Sequence, residues 1–277
     1  MEKLQQALEK ARANRATGLA ADGRARPNMT AAPTAEAHSA PWLALPEMRL
    51  DGKLLKTNRL LLSGNTAESA HFDLLRTRLR EEIRRHEARR IAIVSAGPNA
   101  GKSTVISNLA LSFGRLPFLR TMLFDFDLRH PTLARIFGQS PKSNMGAVIN
   151  SEVAFADHMM RYGNNLAVGM NNAPVPSSAE LLQSDGIEDF LNAVQDAYTP
   201  DLMLFDLPPL LVADDAYGFL RHVDGVIMVI EAEVTSKSQI DALEQKLSDQ
   251  TRLLGVVLNK CNFPDENDPT GYNYGYN

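Results

Sequence analysis

The sequence predicts an α/β protein in which a mostly parallel sheet carries helices on both faces. Short apolar segments alternate with helical stretches along most of the chain, and these segments are apolar at nearly every position rather than at every second one. A strand with two apolar faces is buried on both sides, as in a parallel sheet between two layers of helices. With 277 residues, 44% of them hydrophobic, the chain can form a core without disulfides.

Apolar runs too short to form helices mark the predicted strands. These strands cover residues 91–94, 122–124, 166–168, 202–205, 226–230 and 254–258. Amphipathic stretches between and before them mark the helices, such as the one with Phe72, Leu75, Leu79 and Ile83 at helical spacing. The predicted helices cover residues 66–86, 102–113, 178–198, 213–220 and 235–249.

The composition changes at both ends of the globular region. Residues 1–16 predict an amphipathic helix with Leu4, Leu8 and Ala11 on one face. Residues 17–57 begin with a stretch rich in alanine and proline, and we interpret them as a flexible linker. Its tryptophan, Trp42, is either a docking residue or an isolated apolar side chain. We assign residues 58–262 to the globular domain and residues 263–277 to a flexible tail.

Composition excludes several classes of protein. The net charge of −4 argues against a polycation that coats nucleic acid, so we expect no nucleic-acid partner. Cys261 is the only cysteine and cannot form an internal disulfide or a zinc cluster. The N-terminus lacks the apolar core of a signal peptide, and no run approaches the roughly 18 apolar residues of a membrane span. We therefore expect a cytoplasmic protein.

A phosphate-binding loop follows the first predicted strand and opens a helix. Ala96 stands at the usual first glycine position, and GKST completes the P-loop pattern. Backbone N–H groups of such a loop surround phosphates, the lysine neutralises their charge, and the Ser103 hydroxyl is a ligand for Mg²⁺. The predicted ATP-binding residues are Gly97, Pro98, Asn99, Ala100, Gly101, Lys102, Ser103 and Thr104.

Three aspartates end predicted strands. Asp125 and Asp127 follow one strand, and Asp206 follows another. Ligands bind at the carboxyl ends of strands in open parallel sheets, so we predict a Mg²⁺ site formed by these three carboxylates and Ser103. For any single aspartate, the alternative is an ordinary turn residue. By contrast, we interpret Asp214, Asp215 and Asp224 as capping or turn residues.

Two further polar residues each have two possible roles. Asn259, at the end of the last strand, either reads the adenine edge of a nucleotide or forms a turn. Arg129 either senses phosphate or pairs with an aspartate. The basic run over 76–90 contacts lipid or another subunit, or is a solvated helix face.

The C-terminus is unusual in its tyrosine content. Three of the six tyrosines, Tyr272, Tyr274 and Tyr276, lie in the last six residues. The alternative to a functional cluster is a low-complexity, disordered segment.

Several segments together resemble the bacterial tyrosine kinases (BY-kinases) of polysaccharide synthesis and export. They are IAIVSAGPNAGKSTVISNLA, MLFDFDLRHPTLARIFG, LMLFDLPPLLVADDA, VDGVIMVIEAEVTS and LLGVVLNK, and the tyrosine-rich end completes the match. The N-terminal helix, the linker and the GYNYGYN ending look most like the exosortase-associated subgroup.

The resemblance implies a MinD/ParA-like P-loop NTPase fold. It also implies MgATP-dependent autophosphorylation of Tyr272, Tyr274 and Tyr276 between subunits of a ring. For phosphoryl transfer to a tyrosine, we expect Asp125 to accept or orient the phenol proton, with Lys102 and Asp127 also catalytic. The resemblance also implies a membrane-embedded chain-length or co-polymerase partner and a tyrosine phosphatase.

Two departures from related families bear on these expectations. The Glu-x-x-Arg-x-x-Arg pattern of the ring contact reads Ala70, Asp73 and Arg76 here, which leaves assembly through that contact in question. The partition and septum-site ATPases place a signature lysine where this chain has Gly97. Two alternatives to a kinase stay open: an ATPase switch of that type, and a catalytically silent docking subunit.

Overall fold

A computed structural model describes residues 40–62, 64 and 66–261. Seven strands form one sheet in the order β3-β4-β2-β5-β1-β6-β7, and all neighbours are parallel except the antiparallel pair β3 and β4. The strands are β1 (Arg90–Ser95), β2 (Thr121–Asp125), β3 (Met160–Tyr162), β4 (Leu166–Gly169), β5 (Leu202–Asp206), β6 (Gly225–Glu231) and β7 (Leu253–Asn259).

Helices cover both faces of this sheet. They are α1 (Gly52–Thr57), α2 (Ala67–His86), α3 (Lys102–Gly114), α4 (Leu133–Phe137), α5 (Met145–Ile149), α6 (Phe155–His158), α7 (Ser178–Gln183), α8 (Gly186–Tyr198), α9 (Asp214–Phe219) and α10 (Lys237–Ser248), with a 3₁₀ turn at Leu220–His222. On β1, Ile91 and Ile93 join a core with α2 and α3, whereas Ala92 and Val94 join a core with α8 and α10. The predicted fold class is thus confirmed.

The predicted strands lie within the observed ones, and the structure adds detail around the helices. The predicted helix 178–198 is two helices, because Ser184 has an extended backbone (ψ 154°) between them. Strand β3 and helices α4 to α6 were not predicted. Each has five residues or fewer, which is too short to show a periodicity in the sequence.

The predicted linker 17–57 is wrong for residues 40–57. Trp42 is fully buried, Leu45 and Leu55 are also buried, and Gly52–Thr57 is helical. Residues 46–48 add to the sheet edge, because Met48 N donates to Arg161 O (2.7 Å) and Arg161 N donates to Pro46 O (2.8 Å). The average composition of residues 17–57 did not reveal these few apolar side chains, because they are spaced apart along the segment. We name residues 40–61 the N-terminal strap.

The remaining predictions at the chain ends lie outside the described residues. These are the helix 1–16, the linker up to residue 39, and the tail 263–277 with Tyr272, Tyr274 and Tyr276. Within the part of the chain that is described, no helix combines the length and the apolar character needed to cross a bilayer.

Candidate functional site

The loop after β1 has the geometry of a phosphate-binding loop. Strand β1 ends at Ser95, and α3 begins at Lys102. Gly101 adopts a left-handed φ of +91°, and a Cβ added there would lie 2.2 Å from Nδ2 of Asn259, so only glycine fits. Lys102 is only 6% exposed. The predicted strand–loop–helix context is confirmed, with the lysine at the first turn of the helix.

Asp125 and Asp206 occupy paired positions at the carboxyl ends of β2 and β5. Both are completely buried. Oδ2 of Asp125 accepts hydrogen bonds from the N–H groups of Thr132 (3.1 Å) and Leu133 (3.0 Å). In the described ranges, Oδ1 of Asp125 and both carboxylate oxygens of Asp206 lack a donor at hydrogen-bond geometry. Buried carboxylate oxygens without donors are costly, and this arrangement suits a cation.

Burial and like charge raise the pKa values of this pair. Burial is the largest cause for Asp125, whose pKa lies well above its usual range, and the charge of Asp206 adds to it. Burial also raises the pKa of Asp206 to about 6, although Lys102 and the nearby Ser103 hydroxyl act to lower it. Such shifts are typical of functional sites.

Asp127 completes the acidic group beside the P-loop lysine. Its Oδ1 accepts a hydrogen bond from His130 N at 3.2 Å. Burial raises its pKa, and the charge of Lys102 opposes that shift. Lys102 acts on both Asp127 and Asp206, so the structure brings the three predicted carboxylates and the P-loop lysine together.

The described residues contain no group of three carboxylate, imidazole or thiolate ligands that could by itself hold a metal ion. Mg²⁺ commonly retains several waters and binds through one or two carboxylates together with substrate phosphates. The unpaired oxygens of Asp125 and Asp206 therefore fit Mg²⁺ as a partial shell.

The backbone of Asp125 is held by a buried amide that was not predicted from the sequence. Asn171 donates from Nδ2 to the backbone oxygen of Asp125 (2.8 Å) and accepts from Met145 N (2.7 Å). An asparagine two residues after a short strand gives no distinctive signal in one sequence, because its partners are distant in the chain.

The interpretation of Asp215 as a capping or turn residue is wrong. Its carboxylate is 1% exposed and accepts hydrogen bonds from Arg129 Nε (2.8 Å) and the Ser178 hydroxyl. Burial acts to raise its pKa, but the hydrogen bonds from Arg129 and Ser178 bring the pKa below its usual value. Of the two roles open for Arg129, the structure shows pairing with an aspartate. Asp224 lies in the bend before β6, but its carboxylate accepts from the N–H groups of Arg89 and Arg90 at the start of β1, which is a long-range contact rather than a local turn.

Asn259 lies against the phosphate loop. Its Nδ2 donates to the backbone oxygen of Ala100 at 2.8 Å. The Asn259 amide therefore binds the backbone of the phosphate loop, which a residue that only forms a turn would not do. Its contact with adenine stays a prediction.

Arg76, the residue retained from the ring-contact pattern, makes contacts inside its own chain. Its Nη1 lies 3.1 Å from Asp73 Oδ1 and 2.9 Å from Ser112 O. Arg115 also contacts Asp73. These contacts join α2 to the end of α3.

Several relatives of this chain are named as tyrosine kinases or as a polysaccharide transport protein. No family model matches the chain. The putative tyrosine-protein kinase CapB of Staphylococcus aureus is 27% identical over 209 residues, covering 75% of this chain and 90% of the relative. The tyrosine-protein kinase CpsD of Streptococcus pneumoniae serotype 4 is 30% identical over 173 residues, covering 61% and 75%. The succinoglycan biosynthesis transport protein ExoP of Rhizobium meliloti is 30% identical over 179 residues, but these cover only 22% of that protein and 63% of this chain.

Solved structures show the same relationship. The kinase domain of the Escherichia coli tyrosine kinase ETK has a TM-score of 0.62 and 25% identity, covering 73% of this chain and 78% of that one. The Pyrococcus furiosus cell division ATPase MinD shares the fold, with a TM-score of 0.53 and 24% identity over 64% of this chain and 74% of that one. The site geometry and the extent of the match to CpsD lead to one assignment: this chain belongs to the bacterial tyrosine-protein kinase family.

Proposed function

We propose that the protein is an ATP- and Mg²⁺-dependent tyrosine autokinase that phosphorylates its own Tyr272, Tyr274 and Tyr276. One observation carries the proposal: buried carboxylates with unpaired oxygens lie beside Lys102 of a phosphate loop, in a member of the tyrosine-protein kinase family. The three tyrosines within the last six residues of the same chain are the acceptors in this proposal.

Each group at the site has a role in this reaction. The loop Gly97 to Thr104 binds the triphosphate, and Lys102 neutralises charge on the transferring phosphoryl group. Ser103, Asp127 and Asp206 are the groups that would hold Mg²⁺, with the unpaired oxygens of Asp206 as the best-supported ligands. In this assignment Oδ1 of Asp125 stays free to act on the phenol. Bound Mg²⁺ supplies further neutralisation of phosphate charge.

Asp125 is the proposed acceptor of the phenol proton. Two backbone N–H groups fix its Oδ2, so Oδ1 has a defined direction. A phenol has a pKa near 10, so a carboxylate acts by orienting the hydroxyl and accepting its proton late in the transfer. The raised pKa of Asp125 favours that acceptance.

The tail suits the acceptor role by its length and charge. Tyr276 lies 17 residues beyond Asn259, and 17 extended residues span up to roughly 55 Å. This length is enough for the tyrosines to reach the site of their own or a neighbouring subunit. The tail also contains Asp265, Glu266 and Asp268. Each phosphate adds about −1.5 to −2 charge, which we expect to repel the phosphorylated tail from the acidic site.

We also propose a role in exopolysaccharide or capsule export, at the inner face of the membrane through a membrane-embedded chain-length partner. The similarity to ExoP, named for succinoglycan biosynthesis transport, supports this proposal. A tyrosine phosphatase would reset the tail. The exosortase-associated subgroup and a ring assembly remain proposals from the resemblance, and the internal contacts of Arg76 suggest that any ring uses other residues.

The fold shared with MinD favours one alternative, an ATPase switch without kinase activity. Intact mass of the purified full chain separates the two functions. With MgATP we expect additions of up to three phosphates, removable by phosphatase and mapped by peptide analysis to the last six residues. ATP hydrolysis without any mass increase would support the switch and overturn the kinase. Phosphate found only elsewhere would overturn the tail assignment.

A further inference from the structure

The end of β7 holds the phosphate loop through two consecutive side chains. Asn259 donates from Nδ2 to the oxygen of Ala100 at 2.8 Å. Lys260 donates from Nζ to the oxygen of Asn99 at 2.7 Å. Two adjacent carbonyl groups of the loop are therefore bound by donors from a different part of the chain. We call Asn259 and Lys260 the carbonyl clamp.

The direction of these carbonyl groups matters for anion binding. A phosphate loop binds its ligand with successive backbone N–H groups, which form a concave nest. Carbonyl oxygens carry partial negative charge and would repel phosphate if they turned into the nest. By binding the oxygens of Asn99 and Ala100, the clamp keeps them on the outside of the loop.

The backbone of the loop is one that needs such support. Asn99 has a left-handed φ of +64°, a conformation that costs free energy for a residue with a side chain. Gly101 is also left-handed, and its missing side chain lets the Asn259 amide approach the loop closely. Donors on the carbonyl groups offset part of the cost of this conformation before nucleotide binds.

Glu231, at the end of the neighbouring strand β6, orients the clamp lysine. Its Oε1 lies 2.9 Å from Nζ of Lys260, and the Lys260 side chain is 41% exposed. The ion pair leaves little net charge at this position. Lys260 therefore acts on the loop backbone rather than as a second cation for the phosphates.

We propose that Lys260 is a positioning residue for nucleotide binding, which keeps the phosphate loop in its anion-binding conformation through the Asn99 carbonyl. The proposal rests on the proposed function, since it assumes that the loop binds ATP. No role for Lys260 was predicted from the sequence, and the two roles predicted for Asn259 were contact with the adenine edge and formation of a turn.

The test measures the dissociation constant of a fluorescent ATP analogue with Mg²⁺ on the full chain. We expect Lys260→Met to weaken binding about tenfold, which is the scale of one lost hydrogen bond from a charged donor. Lys260→Arg keeps a donor and should restore most of the affinity. Glu231→Gln should weaken binding less, because the lysine remains but is less well oriented. Lys237→Met, which removes an exposed lysine at the start of α10, is the matched control and should bind normally.

Two readouts separate positioning from other roles. At saturating ATP, kcat of Lys260→Met should stay within about twofold of wild type, with the loss confined to nucleotide affinity; a comparable loss in kcat would overturn the proposal. The loss should also persist from low to high salt. If it disappears at high salt, Lys260 acts as a screened charge, and the proposal is wrong.

Two further outcomes distinguish failure of the carbonyl clamp from failure of the proposed function. Unchanged binding by Lys260→Met would overturn the clamp and leave the proposed function intact. A wild-type chain that does not bind the analogue would overturn the proposed function and the clamp together. Thermal unfolding of each variant shows whether it is folded, and Glu231→Gln provides a second measurement without altering the lysine.

Discussion

Asp125 and Asp206 stand opposite each other on neighbouring parallel strands, both completely buried. Burial raises both pKa values; the charge of Asp206 adds to the rise at Asp125, and the charge of Asp127 adds to the rise at Asp206. Without a cation, this pair favours protonation over two negative charges. The two carboxylates therefore destabilise the fold when both are ionised, and binding of a ligand that neutralises their charge reduces this cost.

The pair makes stability depend on pH through Asp206. Its pKa is about 6 in the folded chain, against an ordinary value of 3.8. Its contribution to stability is thus fully present below pH 3.8 and is lost as the pH rises through 6. A shift of this size corresponds to up to about 3 kcal/mol. We expect Asp206→Asn to raise the free energy of unfolding at pH 7.5 by about 1–3 kcal/mol.

The measurement is thermal or urea unfolding with EDTA at pH 7.5 and pH 4.5. The gain should shrink at pH 4.5, where wild-type Asp206 is mostly protonated. Asp249→Asn, at an exposed position after α10, is the control and should show little gain at either pH. Equal or lower stability of Asp206→Asn at pH 7.5 would contradict the account of the site.

Catalysis should depend on Lys102 and Asp125 far more than the fold does. We expect Lys102→Ala and Asp125→Asn each to lower the rate of autophosphorylation by about 100-fold or more, because each removes charge or proton placement at the reacting atoms. The measurement is phosphate incorporation per chain with MgATP. Normal incorporation in both variants would rule out the proposed mechanism.

The acceptor assignment has its own test. Replacing Tyr272, Tyr274 and Tyr276 by phenylalanine should remove phosphotyrosine and preserve ATP binding, because the phosphate loop is untouched. Tyr217→Phe is the matched control, since Tyr217 is 37% exposed and lies outside the tail, and its loss should leave the phosphate count unchanged. Full phosphorylation of the triple variant would move the acceptors elsewhere.

The N-terminal strap should contribute to the stability of the fold. Trp42 is fully buried in the core, whereas its neighbour Leu43 is 49% exposed. We expect Trp42→Ala to lower the free energy of unfolding by about 3–5 kcal/mol, because it leaves a large cavity. Leu43→Ala should cost within about 0.5 kcal/mol. Urea unfolding of both variants measures the difference, and similar values for the two would mean that the strap is not packed as described.

The ion pair of Arg129 and Asp215 predicts that a second substitution, at Asp215, recovers part of the stability lost by a substitution at Arg129. In Arg129→Met, burial acts on Asp215 without its main opposing partner, so its pKa rises and its ionised form destabilises the fold. We expect the loss of stability to be larger at pH 8 than at pH 4.5. Adding Asp215→Asn should recover part of the loss at pH 8, because no buried charge remains. A loss that is independent of pH and is not recovered would show that Arg129 acts by packing alone.

Much of the site was predictable because its chemistry is local in sequence. The phosphate loop and the aspartates at the strand ends lie in short segments whose order and spacing can be read directly. The roles of Asp215 and Lys260 were not predictable from the sequence. Asp215 contacts Arg129 from 86 positions away, and Lys260 contacts Asn99 from 161 positions away. Such contacts leave no mark in a single sequence.

The sequence by itself determined the fold class, the nucleotide loop and the identity of the three carboxylates, because apolar periodicity and motif spacing are properties of neighbouring residues. Only the tertiary structure decided that Trp42 belongs to the core, that Asp215 pairs with Arg129, and that the end of β7 supports the phosphate loop. Each of these depends on which segments the folded sheet places side by side, and in a parallel sheet those segments are far apart along the chain.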